Sequence, residues 1–71
     1  MISENLRRIR KQRGFTLKAI AEIVDSSIGY IYELETGRRT PSLSMLQRLA
    51  VALNVPVYEL LGVEDGKEEA K

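Results

Sequence analysis

Apolar residues in this chain recur at helical spacing in five short runs, separated by Gly, Ser, Asn and Pro. In "ISENLRRIRKQRG", Ile2, Leu6 and Ile9 fall at i, i+4 and i+7, one face of a helix. Ser3 is expected to cap that helix and Gly14 to stop it. "TLKAIAEIV" follows, with Thr16 as cap and Leu17, Ile20, Ala21 and Val24 turned inward. "DSS" then breaks the pattern, because Asp and Ser side chains compete for backbone hydrogen bonds and favour caps and turns. Ser27 caps "IGYIYELET", whose Ile31 and Leu34 face inward, and Gly37 ends it in a left-handed cap. Past the loop "RRTPS", Ser42 caps "LSMLQRLAVALN", with Leu43, Leu46, Leu49, Ala50 and Leu53 as its buried stripe. Asn54 and Pro56 punctuate, and "VYELL" before Gly62 makes a short fifth helix. There is no β-type alternation and no repeat. The expectation is an all-α, compact five-helix domain over residues 1–62. Residues 63–71, "VEDGKEEAK", read as an acidic polar tail or linker stump.

Length and composition narrow the function. A chain of 71 residues admits one domain with a small core. It contains no Cys and no His, which removes disulfides, most zinc sites, thiol nucleophiles and His-based acid–base catalysis together. No carboxylate pair or nucleophile–base pair stands out, and "GRRTPS" lacks the length and Lys-Ser/Thr ending of a phosphate loop. The chain is therefore expected not to be an enzyme, with no catalytic residue, metal, cofactor or small-molecule ligand. No apolar run approaches the roughly 18 residues of a membrane span, and the N-terminus has no signal-peptide core. A soluble, cytoplasmic protein without a membrane partner is the expectation.

Charge and helix order point towards nucleic acid. Residues 1–40 hold eight Lys/Arg against five Asp/Glu, a net +3; residues 41–71 hold three against five, a net −2. A basic half and an acidic half suggest a side that faces a polyanion. Helix, short turn, helix is also the motif in which a second helix enters the major groove. Ala21 suits a close helix crossing, and Ile20 and Val24 can pack against Ile31 and Leu34. A plain αα-hairpin satisfies the same constraints.

The order of the fragments is more specific. "ENLRRIRKQRGFTL", then "IAEI", "S", "YI", "LETGRRTPS" and "LQRLAVALNVPVYELL" resemble, at these separations, the Cro/phage-repressor type helix-turn-helix family, also called xenobiotic-response-element-like. The resemblance covers residues 2–62 and implies a lambda-repressor-like fold with the helix-turn-helix in helices 2 and 3. It implies sequence-specific binding of double-stranded DNA by a bacterial-type transcriptional regulator, a repressor. Such a protein acts as a homodimer on an inverted-repeat operator, with half-sites about one helical turn, roughly 34 Å, apart.

Carried over by residue, the resemblance pairs Arg10 with Glu35, for which a purely structural ion pair is the better reading. It places Ser27, Ile28, Gly29, Tyr32 and Glu33 at base edges, and Ile28, Gly29, Tyr32 and Glu33 lie away from the Ile31/Leu34 face. Arg38, Arg39 and Thr40 match a loop that approaches the phosphates, and Arg13 and Lys18 join them as phosphate contacts. For the two loop arginines a solvated charge is the competing reading. Phosphate contacts set register, and base contacts supply specificity. The dimer interface falls near helices 4 and 5, with Val51, Val55, Val57 and Tyr58 as candidates; Val55 and Val57 serve equally well as monomer core.

The chain also departs from the family pattern. Leu17 stands where Gln often begins helix 2, Asp25 where the turn usually has Gly, and Ser26 where an apolar residue is common. The recognition helix has no Arg, Gln or Asn for bidentate contact with guanine or adenine. What it offers is Ile28 for a thymine methyl, Glu33 as acceptor from cytosine N4, Tyr32 for a phosphate or stacking, and Gly29 for close backbone approach. DNA shape is expected to supply the remaining specificity. A rival reading comes from Leu17, Ile23, Ile28, Tyr30, Tyr32, Met45, Val51 and Tyr58, more apolar groups than this core can hide. Exposed apolar patches mark protein partners, so a protein-interaction module on a helix-turn-helix scaffold is the alternative.

Overall fold

A computed structural model describes residues 2–62 and shows five helices: α1 (Ile2–Gln12), α2 (Leu17–Ile23), α3 (Ile28–Glu35), α4 (Leu43–Leu53) and α5 (Val57–Leu61). The tail expected over residues 63–71 lies outside the described residues. None of the described helices is long and apolar enough to cross a membrane. Helices this short are marginal alone in water, so packing of their apolar faces holds them.

The starts of α2, α3 and α4 are each set by a side chain the sequence supplies. Thr16 Oγ1 accepts from the Ala19 amide at 3.0 Å, Ser27 Oγ from Tyr30 at 3.1 Å, and Ser42 Oγ from Met45 at 3.0 Å. Each satisfies an amide that has no partner within its helix. Ser3 does not act this way. It is the second residue of α1, which already begins at Ile2, so its side chain lies inside the first turn.

Four helices end by one closure. After α1 the amides of Gly14 and Phe15 bond Lys11 O and Arg10 O; after α2 those of Asp25 and Ser26 bond Glu22 O and Ala21 O. The same pair of bonds follows α3 at Gly37 and Arg38, and α4 at Asn54 and Val55. The closure needs a left-handed residue, and Gly14, Asp25, Gly37 and Asn54 have φ between 60° and 81°. Asp25 is the one that sits in the α2–α3 turn. An aspartate reaches this conformation at some cost, eased by its short polar side chain. α2 has a further tie: Arg48 of α4 donates from Nη1 to Val24 O at 3.1 Å.

The core gathers Leu6 and Ile9 from α1, Ile20, Ala21 and Val24 from the α2 segment, and Ile31 and Leu34 from α3. Leu46, Leu49, Ala50 and Leu53 of α4 join them, with Val55 and Leu60. α3 packs on both α2 and α1, while α5 packs on α1 and α4. Asn5 Nδ2 donates to Leu60 O at 3.2 Å, fastening α1 to the end of α5. Leu43 is an exception to the expected stripe: as the first residue of α4 it is 68% exposed, while Met45 and Leu46 in the same turn pack on the core. The expected surplus of apolar groups divides. Ile23, Ile28, Tyr32, Val51 and Tyr58 are exposed, whereas Leu17, Tyr30 and Met45 lie half-buried against the core.

Candidate nucleic-acid interface

α3 is fixed from behind and open in front. Its inner face buries Ile31, Leu34 and Glu35. The Glu35 carboxylate receives Arg10 through two bonds, from Nε at 2.6 Å and Nη2 at 3.1 Å. Arg10 Nη1 also donates to Phe15 O at 2.7 Å, so one guanidinium joins α1, the α1–α2 turn and the end of α3. The outer face carries Ser27, Ile28, Gly29 and Tyr32, all exposed. A Cβ built on Gly29 would meet nothing within 4 Å, so the glycine answers no crowding inside the chain. Ser27 Oγ already caps the helix, which leaves its hydroxyl proton for an outside acceptor.

The side chains expected at phosphates share an exposed setting but differ in their partners. Arg13 follows α1, Lys18 lies in the first turn of α2, and Arg38, Arg39 and Thr40 occupy the loop after α3; all five are exposed. Among the described residues no side-chain hydrogen bond or ion pair engages Arg13, Lys18 or Arg38. Arg39 differs: its Nε meets Glu33 Oε1 at 2.5 Å, and its guanidinium carbon lies 6.0 Å from the centre of the Tyr30 ring. Glu33, expected at a base edge, thus turns its carboxylate to the loop. Sequence spacing did not reveal this pair, nor Tyr30 beneath it, because the chain reversal at Gly37 brings residues 33 and 39 together.

The surface expected for a second subunit changes in membership. Val51 is 80% exposed on α4 and Tyr58 is exposed on α5. Val57 packs half-buried against the core, and Val55 is 8% exposed and belongs to it. Val55 is therefore a core residue, drawn in by the closure of α4 through its amide bond to Ala50 O. Leu61, not singled out from sequence, is exposed near Tyr58 at the end of α5.

Comparison with known proteins agrees with this geometry. A sequence model of the helix-turn-helix family matches residues 6–60, from within α1 to within α5. The HTH-type transcriptional regulator DdrOP3 of Deinococcus deserti is 45% identical over 64 residues, 89% of this chain and 50% of that protein. The transcriptional regulator ClgR of Mycobacterium tuberculosis is 31% identical over 71 residues, all of this chain and 62% of that one. The chain thus spans only part of the length of these relatives. Among solved structures, the restriction-modification controller protein C.AhdI of Aeromonas hydrophila superposes with a TM-score of 0.80 at 29% identity, over 83% of this chain and 89% of that one. SinR, the master regulator for biofilm formation, in complex with DNA, gives a TM-score of 0.80 at 29% identity, over 86% of this chain and 98% of that one. A buried pair behind α3, an open face in front of it and this match over most of the chain lead to one assignment: the chain belongs to the helix-turn-helix family of Cro/phage-repressor type.

Proposed function

We propose that this chain is the sequence-specific DNA-binding part of a cytoplasmic transcriptional regulator, a repressor. It places α3 in the major groove of double-stranded DNA and binds an inverted repeat as a homodimer. The observation that carries the reading is the two-sidedness of α3. Ile31, Leu34 and the Arg10–Glu35 pair anchor it, while Ile28, Gly29 and Tyr32 lie on its exposed face. Its likeness to SinR in complex with DNA supports the same placement. In the groove, Ile28 meets a thymine methyl and Gly29 admits close approach of the backbone. Arg13, Lys18, Arg38, Arg39 and Thr40 take phosphates. Val51, Val57, Tyr58 and Leu61 are the side chains for a second copy. No catalytic step belongs to this reading.

Selection of bound duplexes from a randomised pool at low and moderate salt tests it. An enriched inverted repeat is expected, with a log–log salt slope of about −3.6 for each subunit that neutralises four phosphates. A second reading rests on a groove of about 480 Å³ between the end of α2 and α4, lined by exposed Ile23 and Val51 together with Gln47 and Arg48. That groove suits a protein partner. Failure to bind any duplex at low salt would favour it and overturn the DNA-binding proposal.

A further inference from the structure

An outward carboxylate on a helix that approaches phosphates is an electrostatic liability. Glu33 is such a group, and its surroundings show what offsets it. Gly37 reverses the chain after α3, and the amides of Arg38 and Arg39 return to the Glu33 carbonyl at 2.9 and 3.3 Å. The Glu33 side chain continues the same hold, with Oε1 accepting from Arg39 Nε at 2.5 Å. Tyr30 supplies a floor 6.0 Å beneath the guanidinium carbon, at the edge of cation–π range. Backbone carbonyl, carboxylate and ring of one helix thus all engage one loop residue.

The guanidinium is used only in part. It carries five N–H donors in one plane, and the bond to Glu33 occupies Nε alone. Among the described residues Nη1 and Nη2 of Arg39 have no protein acceptor, and the side chain remains exposed. Two N–H groups fixed in a plane match the oxygens of a phosphate, the geometry that distinguishes Arg from Lys at such sites.

We propose that Glu33 is a positioning residue for Arg39: it holds the guanidinium by its Nε edge so that the Nη groups meet a backbone phosphate beside the groove that α3 enters, and it reads no base itself. The proposal rests on the DNA-binding reading above. It also accounts for the tolerated charge, since the carboxylate is neutralised by the cation it aims.

Three roles for Glu33 predict three different signs. A solvated acid repels DNA, so Glu33→Ala would tighten binding. A base reader loses discrimination at one base pair. A positioning residue loses affinity evenly on every sequence, because phosphates carry no sequence information. The experiment titrates the full chain and its variants against the selected duplex and a panel of its single-base-pair changes. Glu33→Ala is expected to weaken all of them by roughly threefold, the coupling typical of an exposed pair. Glu33→Gln, which keeps the acceptor oxygen, should recover part of the loss, and in an Arg39→Ala background Glu33→Ala should add nothing. In the free protein, the Arg39 Nε–H resonance should move on Glu33→Ala.

Tighter binding, a loss confined to one base pair, additive effects of the two substitutions or an unmoved resonance would each overturn the proposal. If the wild type bound no duplex, the DNA-binding reading would fail and take this one with it. A wild type that binds with an indifferent Glu33 would reject the positioning role alone.

Discussion

Two ion pairs radiate from α3, and their acids stand only two residues apart. Glu35 points inward to Arg10 at 2.6 Å, with the two side chains 3% and 9% exposed. Glu33 points outward to Arg39 at 2.5 Å, with exposures of 38% and 60%. The distances are nearly equal, yet the energetics are not. Water screens the outer pair, and two flexible side chains must be ordered to make it, so such a pair contributes about 0–1 kcal/mol. The inner pair had to give up its water. Its bonds to Glu35 and Phe15 O compensate for that loss, so removing one partner strands a buried charge. One pair serves the fold, and the other is available to what the protein touches.

Arg10→Ala breaks the contrast most severely. It leaves Glu35 and Phe15 O without their donor and should cost about 3–5 kcal/mol in urea unfolding. A loss below about 1 kcal/mol would place the buried pair in the same class as the exposed one. Gly29→Ala should move stability the other way, by about 1 kcal/mol, since α3 gains a better helix former in open space. A destabilised Gly29→Ala protein would mean that the outer face does carry the fold after all. The smallest change is expected for Glu33→Ala, a fall within about 1 kcal/mol, read from the same unfolding curves. A larger fall would make the outer pair structural.

The elements whose chemistry is local were legible in the sequence. Thr16, Ser27 and Ser42 accept from the amide three residues on, Gly14 follows the end of α1 as a stop, and Gly37 takes the left-handed end expected of it. Such signals act within one helical turn and need no knowledge of the rest of the chain. What escaped depends on neighbours distant in sequence or on where a helix begins. Leu43 has the right period for the core, yet as the first residue of α4 it stays largely exposed. Ser3 suited a cap, but α1 starts one residue earlier. Val55 reads equally well as partner surface or monomer core from its sequence, and the return of the chain after α4 draws it into the core.

The candidate site shows the same division. The outward placement of Ile28, Gly29 and Tyr32 follows from helical period, and the structure exposes all three. The Glu33 carboxylate faces the loop because of the reversal at Gly37, and the Arg48 bond to Val24 O crosses between helices. Neither has a periodic signature.

The open space around Gly29 bears on how such a chain diversifies. A side chain added at Gly29 meets no neighbour within the chain, and Ile28 and Tyr32 are about half exposed, so folding constrains these positions only weakly. The inner face is under the opposite regime, with a buried carboxylate held by Arg10 and two fully enclosed aliphatic side chains resisting any exchange. Single substitutions at Ile28, Gly29 or Tyr32 are thus expected to leave the domain folded, whereas changes at Ile31, Leu34 or Glu35 are not.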